Sequence, residues 1–520
     1  MGRMSLFPVC REKIRTTVEF ACAICYDNSR CYDVKYNTKK AEIKTMFNSR
    51  ETFILSIMII ACGVFMMGIS LYFFRRIKTY DDYNVAGRST GTFPLICTLI
   101  GTAVGGSTLL GFVSKGYAFG LGQLWLPVGM TVAGVALYFF IARIHSEGER
   151  LNMVTLADFL VSRFGEGVRT PTLISVLCAY SAITGMQFVA VATVLKLVFG
   201  LALPVGILLT WALLTAKTWL GGLMAVIWSD AILGTLQTLG IFFLLSMVYF
   251  ASGSWEVMSA APLPTDSPDF LSLTGISGHE LTVYMLTIGA YQFVRQDLWQ
   301  RFWAARSLRA ARTGYAVAIV FTLLVGAAVV LIGSFARLGL DIAVTNPDLS
   351  FYAIIKATLP LPLMVSMVVV LLATIISCAD SFFIAGASSI ANDVIKPRMK
   401  GRDDAFMLRM SRHSVIAMSL ISLGLALYAP RLLDIWILGS AMLVCGVLVP
   451  TIVALCCRTP NPRGGQVMMW GGLATAVMWQ ILGHPFGLHP VMIGLPVSLA
   501  LMPLALRQAR SPLTTTSNAE

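Results

Sequence analysis

Residues 371–396 read LLATIISCADSFFIAGASSIANDVIK, and Thr374, Ser377, Cys378, Asp380 and Ser381 put oxygen or sulfur into an apolar run that starts near Leu361. An aspartate at mid-depth in a membrane costs a few kcal/mol unless something compensates it. On a helix, positions 374, 377 and 381 follow an i, i+3, i+7 stripe, with Asp380 and Ser388 within about 60° of it. A lone Ser or Thr there is explained by bonding to its own backbone. A whole stripe with a carboxylate reads as an ion site or a hydrated path.

Two further stretches carry similar chemistry. LIGTAVGGSTLLGF (99–112) holds Gly101, Gly105, Gly106 and Gly111 beside Thr102, Ser107 and Thr108. That glycine density allows close helix packing or an unwound segment, whose bare carbonyls are ligands for an alkali cation. GGLMAVIWSDAILGTLQ (221–237) places Asp230 and Gln237 on nearly one face, and an intramembrane carboxylate is a functional candidate or a tie to a neighbouring helix. The five histidines show no HExxH or paired-ligand spacing, and neither a phosphate loop nor a nucleophile elbow is present, so no catalytic residue is expected.

The elements that must hold these residues are membrane helices. The 520-residue chain is 57% hydrophobic and 12% charged, with mean hydropathy +0.76, about half the charge a water-facing surface needs. The expected architecture is all-α and polytopic. About thirteen spans are expected, at 52–74, 93–113, 120–142, 170–195, 203–220, 224–251, 280–296, 313–336, 361–390, 413–429, 433–457, 465–483 and 489–506. Basic loops at 75–88, 142–169, 295–312 and 396–402 alternate with loops nearly bare of charge, and 252–280 has no Lys or Arg. The basic set is expected in the cytoplasm with the C-terminus, in a multi-pass cell-membrane protein. The net charge of +13 fits cytoplasmic loops against anionic lipid and calls for no nucleic-acid partner.

Residues 1–45 carry nine Lys/Arg against five Asp/Glu and would have to lie outside, against the same rule. They are expected to be a disordered extension or a start-site misassignment, with the transporting domain at 46–520. Cys22, Cys25 and Cys31 hint at a metal knuckle but lack a fourth ligand at proper spacing. The cysteines within the spans read as small packing residues.

Several stretches together resemble the sodium/solute symporter family. These are DDYNVAGRSTG (81–91), TLADFLVSRFG (155–165), GGLMAVIWSD (221–230), QDLWQRFWAARSLRAARTG (296–314) and ATIISCADSFFIAGASSIANDV (373–394). The resemblance implies a leucine-transporter-like fold, in which two inverted five-helix repeats (spans 2–6 and 7–11) surround a midplane solute site. One N-terminal and two C-terminal helices are then additions. It also implies sodium-driven symport of a small organic solute within the lipid bilayer.

Carried over by position, the sodium site takes backbone carbonyls of Gly101, Val104 and Thr374 and the hydroxyl of Ser377, with Cys378 where a second hydroxyl is usual. A neutral thiol is a poor ligand for a hard cation. Weaker sodium binding, recruitment of Ser381 or a water, and proton coupling all remain compatible with it. Asp230, Asp380 and Ser381 are assigned to the ion path. Position nominates Ser107, Thr108, Gln123, Tyr291 and Gln292 for the solute, Tyr291 matching an aromatic inner gate of sugar-transporting members. The stretch ILGSAMLVCGVLVP (437–450) offers few hydrogen-bond donors, which favours an amino acid, vitamin or carboxylic acid over a sugar. Arg295 is expected to snorkel to the cytoplasmic surface.

Overall fold

A computed structural model describes residues 47–507 apart from 341, 343, 345, 400 and 429–431, and leaves out the side chains of Ser107 and 432–436. The extension 1–45 and its cysteines fall outside the described residues. The expected spans fall on helical segments, most with ends within a few residues, although the helix expected from 413 begins at Asp404 and the span 93–113 is broken and continues to Phe119. We label the helices α1 (Ser49–Phe74), α2 (Thr92–Ala103), α3 (Gly106–Phe119), α4 (Trp125–Tyr138), α5 (Arg169–Phe199) and α6 (Leu203–Ala251). There follow α7 (278–294), α8 (Leu308–Gly339), α9 (Leu361–Ser389), α10 (Asp404–Tyr428), α11 (432–456), α12 (Pro462–Ile481) and α13 (Val491–Leu506). Among the described residues no strand forms beyond a single bridge, Thr90 with Ala305.

Among the described residues eight helices are long and apolar enough to cross a membrane, and α2 and α13 are shorter apolar helices. The expected thirteen exceed eight partly because α6 carries two expected spans in one hydrogen-bonded run. Its chain turns at Gly222 (φ 51°, ψ −166°), where a Cβ would lie 2.7 Å from the Tyr83 ring and 2.9 Å from the Tyr83 carbonyl. Only glycine accepts both that backbone and that contact. The Tyr83 hydroxyl donates to the Thr218 carbonyl at 2.8 Å and fixes the corner.

The first helix of each expected repeat departs from regular geometry. The second span divides into α2 and α3, and α7 contains a π turn at Met285–Gly289. Around them α9 is among the most buried helices and packs on α5 and α6. α1 is the opposite case, a peripheral helix leaning on α6.

A candidate ion and solute site at the broken helix

α2 ends at Ala103, Val104 leaves helical geometry (φ −110°, ψ 60°), Gly105 is extended, and α3 restarts at Gly106. The glycines are needed for contact with neighbours. A Cβ on Gly105 would stand 2.3 Å from Cys378 Sγ, and one on Gly106 2.7 Å from Gln187 Oε1. The break frees carbonyls, and side chains take them up. Cys378 Sγ lies 3.3 Å from the Thr102 carbonyl, Thr108 Oγ1 donates to Ala103 at 2.8 Å, and Gln237 Nε2 donates to Val104 at 2.7 Å. The expected unwinding is therefore present and sits at 104–105.

Against the break lies the hydroxyl face of α9. Thr374 Oγ1 bonds back to the Val370 carbonyl at 2.8 Å, whereas Ser377 Oγ donates to the Asp230 carboxylate and lies 3.2 Å from Ser229 Oγ. The second Asp230 oxygen accepts from Thr98 at 2.5 Å and Thr102 at 3.3 Å. Gly101 packs on the same residue, with its Cβ position 3.4 Å from Asp230 Cβ. Asp230 thus ties α2, α6 and α9 together.

Its counter-charge comes from the basic segment 295–312, read above as a cytoplasmic surface. Arg301, on the short helix Gln296–Ala304, is fully buried. One of its terminal nitrogens lies 3.4 Å from Asp230 and donates to Thr102 and Ser381 hydroxyls at 2.6 Å each, while Nε donates to Thr98 at 3.0 Å. The bridge between Thr90 and Ala305 holds this helix beside the start of α2.

Arg295 corrects the expectation of snorkelling. It is buried, pairs with Asp297 at 2.6 Å and donates to Gln292 Oε1 at 3.1 Å, and Tyr180 donates to the same Asp297 at 2.7 Å. Satisfying a carboxylate that is itself buried outweighs reaching the surface. Asp380 likewise is paired rather than lining an open path: Lys217 forms a buried ion pair with it, and Thr218 donates to it at 2.5 Å. Lys217 was legible as an ionisable residue inside the span 203–220.

The solute candidates separate. Thr108 caps the broken helix, and Ser107 is the second residue of α3. Tyr291 and Gln292 sit at the C-terminal end of α7 beside Arg295. Gln123 instead meets the N-terminal part of α7, accepting from Tyr284 at 3.1 Å. Sequence reasoning missed Gln187. Buried on α5, it accepts from the Gly106 N–H at 3.2 Å, and its Nε2 has no hydrogen-bond partner among the described residues. A glutamine amid apolar residues in the span 170–195 was the available signal.

The family model for the sodium:solute symporter family matches residues 83–473. The chain is 24% identical over 460 residues to the osmoregulated proline transporter OpuE of Bacillus subtilis, covering 85% of this chain and 92% of that one. It is 23% identical over 456 residues to the sodium/pantothenate symporter of Escherichia coli, covering 85% and 94%. A solved Na+-coupled sialic acid symporter in a substrate-bound outward-open state superposes with TM-score 0.76 at 18% identity, covering 87% of this chain and 96% of that one. With a family match spanning most of the chain, on a matching all-helical fold, this protein belongs to the sodium:solute symporter family, whose members couple solute transport to sodium.

Proposed function

We propose that the protein accumulates a small carboxylate-bearing solute, an amino acid or a vitamin, with sodium held between the α2–α3 break and α9. The observation that carries this reading is the Gly106 N–H, which meets the Gln187 amide oxygen at 3.2 Å. It opens a 14-residue helix whose N-terminal N–H groups and dipole favour an anionic oxygen. A carboxylate oxygen would replace the glutamine oxygen there and offer an acceptor to its Nε2. Two of the relatives bear the names of an amino acid and a vitamin.

Sodium would draw on the Gly101, Val104 and Thr374 carbonyls and the Ser377 hydroxyl, with Gln237 giving up its bond to the Val104 carbonyl. Ser381 and Asp230 complete the path behind it, with Arg301 as the counter-charge 3.4 Å from Asp230. Sodium and solute each pin the break to a neighbour, so each raises the other's affinity by one common factor.

Purified protein in proteoliposomes tests the reading. Labelled proline and pantothenate should accumulate above the outside concentration under an inward sodium gradient, and Gln187→Ala should raise the solute half-saturation about tenfold, the worth of a hydrogen bond to a charged group. Equilibration without accumulation would indicate a channel. Accumulation driven equally by a proton gradient in potassium buffer would transfer the coupling to protons.

A further inference from the structure

On the lipid-facing side, α1 and the half of α6 after Gly222 leave an open groove of about 550 Å³, within the size range of small-ligand pockets. Phe65, Gly68 and Tyr72 form one wall, and Trp228 and Ile232 the other. Gly68 creates the space, since nothing lies within 4 Å of where its Cβ would stand. Phe65, Tyr72, Trp228 and Ile232 are between 44 and 52% exposed, so the groove is apolar and open along its length.

Its foot is basic. α1 ends at Phe74, Arg75 and Arg76 follow, and the Arg76 guanidinium lies 4.3 Å over the Tyr72 ring. The nearby acids are engaged elsewhere: Asp81 pairs with Arg88 at 3.2 Å, and Asp82 accepts the Lys78 and Thr79 backbone N–H groups. From Phe65 to Arg76 the helical rise is about 16 Å, roughly half of the ~30 Å hydrocarbon core, which is the depth of one leaflet.

We infer that this groove binds one anionic phospholipid, its phosphate on Arg75 and Arg76 and an acyl chain running past Gly68 between Tyr72 and Trp228. On the orientation expected from the basic loops the lipid belongs to the cytoplasmic leaflet. Trp228 and Ile232 flank Asp230, which points to the opposite face of α6. A chain seated there braces the outer side of the helix segment that carries the ion-path carboxylate, just beyond its corner at Gly222. Below the groove the two helices already touch, a Gly221 Cβ position being 2.8 Å from Ser70 Oγ.

Native mass spectrometry of the purified full chain tests this without needing sodium or solute, so it succeeds or fails independently of the symport reading. The probes are phosphatidylglycerol and phosphatidylcholine with matched acyl chains, and glycerol phosphate as a headgroup alone. The expected result is one retained phosphatidylglycerol, preferred over phosphatidylcholine by about fivefold for each arginine engaged. Arg76→Gln should cut that preference about fivefold while chain binding persists. Gly68→Phe fills the groove and should remove both lipids, with an unchanged melting temperature confirming the fold. Equal retention of the two lipids by the wild type, or phosphatidylglycerol-selective retention by Gly68→Phe, would overturn the site. Equal competition by glycerol phosphate would overturn the lipid assignment in favour of free phosphate.

Discussion

Cys378 stands where the family resemblance implies a second hydroxyl, and the packing around it accommodates a thiol. Its sulfur packs against Gly105 and the Thr102 carbonyl, a position with no room for a branched threonine. Serine fits, is harder, and offers an oxygen to sodium. Cys378→Ser should therefore lower the sodium half-saturation of uptake about fivefold, for a gain of about 1 kcal/mol; an unchanged value would remove Cys378 from the ion site. Asp230 and Arg301 carry a second residue-scale expectation. Arg301→Met strands a buried carboxylate and should cost about 3–5 kcal/mol of stability, much of it recovered by Asp230→Asn in the same chain. Unfolding in detergent measures both. The stripe Thr374, Ser377, Ser381 and the carboxylate Asp230 were legible because helical periodicity shows which residues share a face. Arg301 was not, because an arginine in a basic loop looks the same to the positive-inside rule whether it meets lipid headgroups or folds back onto a carboxylate.

At the scale of elements, the break between α2 and α3 was readable from glycine density, since each glycine lowers the cost of leaving the helix. Its location was not, because four glycines between 101 and 111 offered equivalent chances and tertiary contact chose between them. The decisive contact is Gly105 against Cys378. Gly105→Ala should push α9 off the break and abolish sodium-dependent uptake. Adding Cys378→Ala removes the sulfur 2.3 Å from the new methyl and should restore folding, though not full sodium affinity. The same methyl at Gly63 meets open space and should be silent in the uptake assay. Helix α6 gives the converse lesson. Composition showed two spans, but the hydrogen-bonded turn at Gly222 depends on Tyr83, 139 positions earlier, and no local pattern records that partner.

For the whole molecule, alternating access requires seams that open in turn, and two polar seams join the helices. On the side of the basic loops, expected to face the cytoplasm, Thr155 donates to Asp393 at 2.9 Å, Arg169 pairs with Asp393 at 3.1 Å, and Gln296 accepts from the Leu156 N–H at 3.2 Å. On the opposite, expected outer side Lys115 of α3 pairs with Glu280 of α7 at 3.1 Å, and Ser114 donates to Asp348 at 3.1 Å. The outer pair is the cleaner one to perturb, because both side chains are about a quarter exposed and neither belongs to the proposed ion or solute site. A pair in that setting contributes about 0.5–1 kcal/mol. Glu280→Gln keeps the size and the hydrogen bonding but deletes the charge, so it should shift the resting population toward the outward-open form by two- to fivefold. The external solute half-saturation should fall by the same factor as more transporters present their site outside. Release inside must then pass through a less favoured closure, so the maximal rate should fall with it. The two changes must appear together, and a maximal rate that drops with no gain in external affinity would show that Lys115 and Glu280 support the fold without gating it.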